Sequence, residues 1–192
     1  MPFLAEEPAL DHLSIRMWWV HRWDLQVGWR WEGPEYRPYT TLWHIEKGAL
    51  RARQGTTEFG LVAGDTGIFP PGSQLFSWNN ASTSLCYLSL GCELVADGID
   101  VFAHRLPIIR QRQLSDMLKT LWKDLEHIAD RCVASSSDLD WLLLEGAAKV
   151  FWAMLCAELD IDLYEIPAQG HPCLAKALCW MRENLHRKIT LS

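Results

Sequence analysis

Nine residues, Gly64-Asp65-Thr66-Gly67-Ile68-Phe69-Pro70-Pro71-Gly72, restrict the fold of this chain more than any other stretch. Gly64-Asp65 is a hairpin dipeptide whose glycine can take positive φ. Ile68-Phe69 is a short apolar strand, and Pro70-Pro71-Gly72 fixes φ twice before releasing it. A helix cannot run through such a segment. On either side, strands are predicted at Thr41 to Lys47, Ala49 to Arg53, Thr57 to Val62, Leu75 to Trp78 and Ser84 to Leu90, with turns at Lys47-Gly48, Gln54-Gly55 and Asn79-Asn80. Strands this short and closely spaced predict a small barrel or jelly roll.

The chain has 192 residues, room for one domain and an appendage, and its 49% hydrophobic content can fill a core. A formal net charge of -6 argues against a large basic face wrapped by nucleic acid. Cys86, Cys92, Cys132, Cys156, Cys173 and Cys179 show no C-x-x-C spacing and mostly fall in apolar patterns, as buried reduced thiols of a cytosolic protein would. Met1 to Asp11 lacks the basic start and long apolar run of a signal peptide. The longest apolar stretch, Trp141 to Ala157, contains Glu145 and Lys149 and is shorter than the ~20 residues of a membrane span. A soluble cytoplasmic protein without a membrane partner is expected.

Five of the eleven tryptophans, Trp18, Trp19, Trp23, Trp29 and Trp31, crowd between Ile15 and Trp31. Strands of a small barrel use aromatic side chains as filler, and one or two at a barrel mouth can stack on a ring face of a ligand. Alternation along a strand puts Trp29 and Trp31 on one side and Arg30 on the other, so Arg30 is the solvated residue. In the same way Thr41, Trp43 and Ile45 share a face opposite to Leu42, His44 and Glu46. Composition alone allows either set to face inward.

The spacing Gly64-x5-Pro70-x-Gly72 resembles the second motif of the cupin barrel, and Gly48 sits where the first cupin motif ends in glycine. The segment LWHIEKGALRARQGTTEFGLVAGDTGIFPPGSQ further resembles the ligand-binding barrel of AraC-type transcriptional regulators. The resemblance implies that Thr41, Trp43 and Ile45 face inward and that the Pro-broken arm Met1 to His12 can fold over a ligand. Registered on Gly48 and Gly72, the cupin metal-ligand positions fall on Glu35, Arg37, Thr41 and Leu75. Arginine carries a fixed positive charge, leucine has no donor atom and a threonine hydroxyl is a poor ligand, so neither a metal nor another cofactor is expected. Arg37 is then either a fork of donors for an organic ligand or a surface salt bridge to Glu35. His44 has no carboxylate or nucleophile at a useful spacing, and no catalytic residue is assigned. The expected ligand-binding residues are Trp29, Trp31, Glu35, Arg37, Thr41, Trp43, Ser77 and Asn79, a set suited to a sugar or sugar acid, with an aromatic acid as the competing ligand.

After Pro107 the hydrophobic period changes from two to 3.6. Leu114, Leu118, Leu121, Leu125 and Ile128 form an a/d seam that can pack against the next helix or against a second copy of the chain. The resemblance implies a homodimer built on this seam. Ser137 or Asp138 can cap a second, almost wholly apolar helix, Leu139 to Leu159. Pro167, Gly170 and Pro172 mark a linker, and "PCLAKALCWMRENLHRKITLS" resembles the opening of an AraC-type DNA-binding domain. The expected division is a cupin-like effector-binding barrel with its arm over 1–108, a helical dimerisation region over 109–160, a linker over 161–172 and an incomplete helix-turn-helix domain over 173–192. The fold expected is mainly β with C-terminal helices, and the function that of an effector-sensing, dimerising region of an AraC-type regulator, not an enzyme. DNA would be contacted only through a domain beyond this chain. The competing readings are a metal-dependent cupin isomerase or dioxygenase and a stand-alone cupin sensing protein.

Overall fold

A computed structural model of the chain describes residues 13–79, 82–96, 99–103, 105–135 and 137–161. The expected arm, the expected linker apart from Ile161, and the expected C-terminal helix lie outside the described residues, as does Asn80 of one expected turn. In chain order the strands are β1 Leu13–Leu25, β2 Arg30–Glu32, β3 Tyr36–Arg37, β4 Thr40–Lys47, β5 Ala49–Gln54, β6 Thr57–Val62, β7 Asp65–Phe69, β8 Gly72–Ser73, β9 Leu75–Trp78, β10 Leu85–Ala96, β11 Ile99–Asp100 and β12 Ile108–Gln111. Among the described residues two helices follow, α1 Asp116–Ser135 and α2 Asp138–Leu159. The chain is thus mainly β with helices at the C-terminal side of the described region.

Every strand pairing among the described residues is antiparallel. One sheet runs β1-β10-β4-β7-β12, with β11 added to β10, a second runs β2-β9-β5-β6, and β3 pairs with β8. The helical period read from Pro107 onward begins later than expected, because Ile108–Gln111 first returns to pair with β7. The punctuating glycines act as the sequence required: Gly48 and Gly64 have φ of +84° and +96°. At Gly48 a Cβ would also stand 2.5 Å from the carbonyl oxygen of Ser84, so the turn is closed to any side chain on two counts.

The first sheet is covered on both faces, which is why six consecutive residues of β4, Thr40 to Ile45, are buried. On one face Trp43 and Ile45 join Leu50, Ala52, Leu61, Phe69, Leu75 and Tyr87 between the two sheets. On the other, Leu42, Ile68, Leu88 and Leu90 pack against Leu118, Trp122 and Leu125 of α1 and against Phe151, Trp152 and Leu155 of α2.

This second core supplies the intramolecular partner, the next helix, that the helical seam allowed beside a second copy. Leu118 and Leu125 are fully buried within the protomer, Leu114 lies buried just ahead of α1, and Leu121 and Ile128 are partly buried against the same cluster. The seam is spent on α2 and the sheet because those apolar surfaces, tethered in the same chain, would otherwise be wet. Apolar side chains remain outside on both helices, Met117 and Val133 on α1 and, on α2, a stripe of Leu139, Leu142, Leu143 and Val150 that are between 44% and 66% exposed.

Ser137 occupies the expected N-cap of α2 with extended backbone, yet its side chain makes no cap bond. Instead the buried Asp140 carboxylate accepts from the Ser135 hydroxyl at 2.7 Å and from Arg131, tying the end of α1 to the start of α2. At the far end, α2 carries no basic residue in its last turn, and Arg110 and Arg112 donate to the Leu159 and Glu158 carbonyls in that role. The helical pair is thereby anchored to the strand that precedes it.

Candidate ligand-binding site

Between the two sheets the packing is incomplete. Trp19, Trp23, Trp29, Trp31, Tyr39, Thr41, Trp43, Tyr87 and Ser89 surround a cavity of about 360 Å3, toward the small end of the ~300–1,000 Å3 typical of ligand pockets. Thr41, Trp43, Tyr87 and Ser89 are buried and form its floor, whereas Trp23 is 41% exposed at its mouth.

Register explains how the floor is assembled. On β4 and β10 Trp43 stands opposite Ser89, Thr41 opposite Gly91 and Ile45 opposite Tyr87, so all project from one face. Trp43 sits among aromatic neighbours, with ring centroids 4.8 Å from Phe69, 5.9 Å from Tyr87 and 6.4 Å from Trp31. Trp29 lies 6.3 Å from Tyr87. Burial raises the pKa of the Tyr87 phenol, which therefore remains a neutral hydroxyl at any physiological pH.

The other wall depends on a bulge. Along β1 the pairing with β10 slips between Met17 and Trp19, so that Met17 faces Cys92 and Trp19 faces Gly91. One extra residue in a strand exchanges its two faces. Ile15 and Met17 precede it on the helix-covered side, whereas Trp19 and Trp23 follow it into the cavity. The Trp19 indole lies over Gly91, where a Cβ would meet its ring atoms at 2.4 Å, and its Nε1 donates to the Ser89 hydroxyl at 2.9 Å. Its ring also meets Tyr39 edge-on at 4.8 Å. Trp31 is seated comparably on Gly33, where a Cβ would come within 2.7 Å of the indole. Two indoles thus take positions that glycines keep clear.

Of the eight residues expected at the site, Trp29, Trp31, Thr41 and Trp43 come together around the cavity. The other four do not. Glu35 is exposed on the surface. Asn79 is buried behind the wall, where its backbone exchanges hydrogen bonds with Gly28 and Trp29 and its amide donates to the Thr83 carbonyl at 3.0 Å, so it fixes the segment carrying Trp29. Ser77 pairs with Trp31 across the sheet and is buried, its hydroxyl without a partner among the described residues, but it does not line the cavity.

Arg37 differs from both roles offered for it. It is 0% exposed and pairs with no carboxylate among the described residues, Glu35 included. Its guanidinium donates to the Pro70 carbonyl at 2.8 Å, the Ser73 carbonyl at 3.3 Å and the Thr41 hydroxyl at 2.9 Å. It pins the Pro70-Pro71-Gly72 turn to β4 from behind the cavity floor. Burial pushes its pKa down to about 10, which still leaves it charged at neutral pH.

The sequence reading did not place Trp19, Trp23, Tyr39, Tyr87 and Ser89 at the site. The available signal was the Trp18-Trp19 doublet, which breaks the alternation of β1, together with Gly91 inside an otherwise apolar strand.

The cupin metal positions carry no usable donor set: Arg37 holds a fixed charge, Leu75 is part of the core, and Thr41 already accepts from Arg37. His44 lies on the helix-covered side of β4, its Nδ1 2.9 Å from the Thr66 hydroxyl. A second hollow, between Trp18 on β1 and Trp141 and Leu142 on α2, is larger at about 580 Å3, but these three residues are exposed and it is a surface cleft.

No protein-family model and no curated protein sequence matches the chain. Among solved structures it is similar to YhaK from Escherichia coli, with 16% identity over 55% of this chain and 46% of that one, at a TM-score of 0.44. It is also similar to ToxT K231A from Vibrio cholerae, with 10% identity over 92% of this chain and 67% of that one, at 0.45. ToxT with an unsaturated fatty acid bound matches at 10% identity over 92% and 66%, at 0.41. The match spans less than half of the YhaK chain. No helix among the described residues is long and apolar enough to cross a membrane.

Proposed function

We propose that this chain is the effector-binding region of an AraC-type transcriptional regulator, and that a small organic molecule occupies the tryptophan-lined cavity. The observation that carries the reading is the cavity itself: five indoles converge around the buried hydroxyls of Thr41, Tyr87 and Ser89, where a solid core would be expected. A fold that only had to be stable would fill such a space. Binding would act on the equilibrium between two arrangements of the barrel and its helices, favouring the one that holds the ligand better. The order of barrel, helical pair and the further segment resembling a DNA-binding domain fits a sensor whose output lies beyond Ile161.

The homodimer belongs to the same proposal, but with a different surface. Because the α1 leucines are buried, the face available to a second copy is the exposed stripe of Leu139, Leu142, Leu143 and Val150 on α2.

For the ligand, the carbohydrate expectation loses four of its polar contacts, since Glu35, Arg37, Ser77 and Asn79 do not line the cavity. What remains is mostly aromatic surface, which favours a planar apolar molecule over a sugar with hydroxyls around its rim.

A thermal-shift and calorimetric screen of planar organic molecules and monosaccharides against the full chain tests the reading. A ligand bound only by the native state raises the melting temperature, and Trp31→Ala should abolish that rise. If no compound of either class shifts the wild type, the cavity is not an effector site. Light scattering on Leu142→Glu/Val150→Glu tests the dimer: wild-type dimers and variant monomers are expected, and a dimer in both removes α2 from the interface.

A further inference from the structure

We propose that the cavity selects a planar apolar ligand bearing a carboxylate, with the Thr41 and Ser89 hydroxyls as its donors and Arg37 as the positioning residue that sets its charge preference. This rests on reading the cavity as an effector site.

Three observations converge on it. Arg37 is wholly buried, and the groups around its guanidinium are two carbonyls and a hydroxyl, with no carboxylate among the described residues at ion-pair distance. A buried charge compensated only by dipoles keeps much of its desolvation cost, and its field extends into the adjacent low-dielectric space. The adjacent space is the cavity, because Thr41, which accepts from Arg37, also lines it.

The second observation is the state of the two hydroxyls. Thr41 Oγ1 accepts from Arg37 at 2.9 Å and Ser89 Oγ accepts from Trp19 Nε1 at 2.9 Å. Each hydroxyl has its own proton still to give, and neither makes a second hydrogen bond among the described residues. A hydroxyl held in this way by a wall donor offers a donor to whatever enters. Thr41 and Ser89 are 1% and 2% exposed, so the offer is made where water is scarce.

Third, the two donors stand diagonally across β4 and β10 on one face, Thr41 being opposite Gly91 and Ser89 two residues back along β10. Such neighbours are separated by about 7–8 Å. Their side chains rise from the same face and stand somewhat closer than the residue positions, so a group with two acceptor oxygens can give one oxygen to each hydroxyl, its ring then extending among the indoles toward the mouth. An organic cation could also be drawn to indole faces. Here, however, the fixed charge nearest the floor is the Arg37 cation, with no acidic side chain in the lining.

Calorimetry on the full chain with one ring in three charge states tests this: 2-naphthoate, 2-naphthamide and 2-naphthyltrimethylammonium, with glucuronate as a non-planar acid. Naphthoate should bind at least tenfold more tightly than the other three. Its advantage over the amide should survive 0.5 M NaCl, because a buried charge is poorly screened. In Thr41→Val the ratio of the two dissociation constants should fall to within twofold, with thermal unfolding checking that the variant is folded. Equal binding of naphthoate and naphthamide leaves the effector-site reading standing and overturns the carboxylate preference. So does tightest binding of the ammonium, a preference lost in salt, or a ratio unchanged in Thr41→Val. Tighter binding of glucuronate overturns the planar class. Binding of none of the four at millimolar concentration overturns the inference, and the broader screen then decides the effector-site reading separately.

Discussion

Leu42 and Thr41 are adjacent on β4, yet one points into a filled core and the other into a hollow. The two interiors are similarly apolar. Their difference is one of shape. On the helix-covered side, leucines, cysteines and alanines of β10, α1 and α2 interleave with a few aromatic rings, and aliphatic side chains adjust their rotamers to fill gaps. Between the sheets, five indoles arrive from β1, β4 and the segment 29–31, and several are held in place: Trp19 by Ser89 and Gly91, Trp31 by Gly33. Rigid plates fixed at their edges leave space that flexible chains would close. Apolar content thus makes a core, but side-chain stiffness decides whether it is solid.

The strongest way to break that contrast is to place a charge in the filled side. Leu118→Asp puts a carboxylate at a 0% exposed position and should cost more than about 4 kcal/mol, leaving little folded protein. The smaller Leu125→Ala change should cost about 2–5 kcal/mol by urea denaturation. If either variant instead stays fully stable and merely dissociates, the seam faces a partner subunit after all.

On the hollow side the same truncation should cost less stability and more binding. Trp31→Ala removes a partly exposed side chain beside an existing void, so a loss under about 2 kcal/mol is expected, below that of Leu125→Ala. Gly91→Ala forces the Trp19 ring aside and should cost about 1–3 kcal/mol as overpacking, while changing the near-ultraviolet dichroism of the cavity indoles. An unaltered spectrum would mean that Trp19 does not rest on Gly91.

The smallest effect concerns pH and again separates the faces of β4. Burial on the helix-covered side lowers the pKa of His44 below its usual value, partly opposed by Glu46. The native state therefore binds a proton less readily than the unfolded chain, whose histidines titrate near about 6.5. Stability from this group is present above that pH and is lost as pH falls toward the lowered native value. Comparing urea midpoints at pH 7.5 and pH 5.0, the wild type should lose more than His44→Gln. An identical loss would show that other groups govern acid sensitivity.

Much of the barrel was legible in the chain itself because turns are local. Gly48, Gly64 and the Pro70-Pro71-Gly72 run act through φ at single residues, and the strands between them appear where alternation predicts, with β4 and β9 within a residue of expectation. Parity placed Trp29 and Trp31 on one side of their strand, and these come together with Thr41 and Trp43 in space. The faces of β1 were not legible, because one inserted residue exchanges the faces of all that follow it in the strand, and the insertion is defined only by pairing with β10. The free thiols Cys86, Cys92, Cys132 and Cys156 are buried as expected, and burial raises the pKa of each.

Sequence alone determined where the chain turns, which segments alternate and which are helical, since each of these depends on a few adjacent residues. Tertiary structure decided what those segments meet. An a/d seam reads the same whether its partner is another helix of the chain or a second molecule, and only the position of α2 commits the α1 leucines to the protomer. Arg37 likewise reads as a surface ion pair or a ligand clamp until the Pro70 and Ser73 carbonyls, over thirty residues away, close around it. Long-range contacts of this kind depend on which surfaces lie within reach once the sheets have formed, and no local pattern encodes that distance.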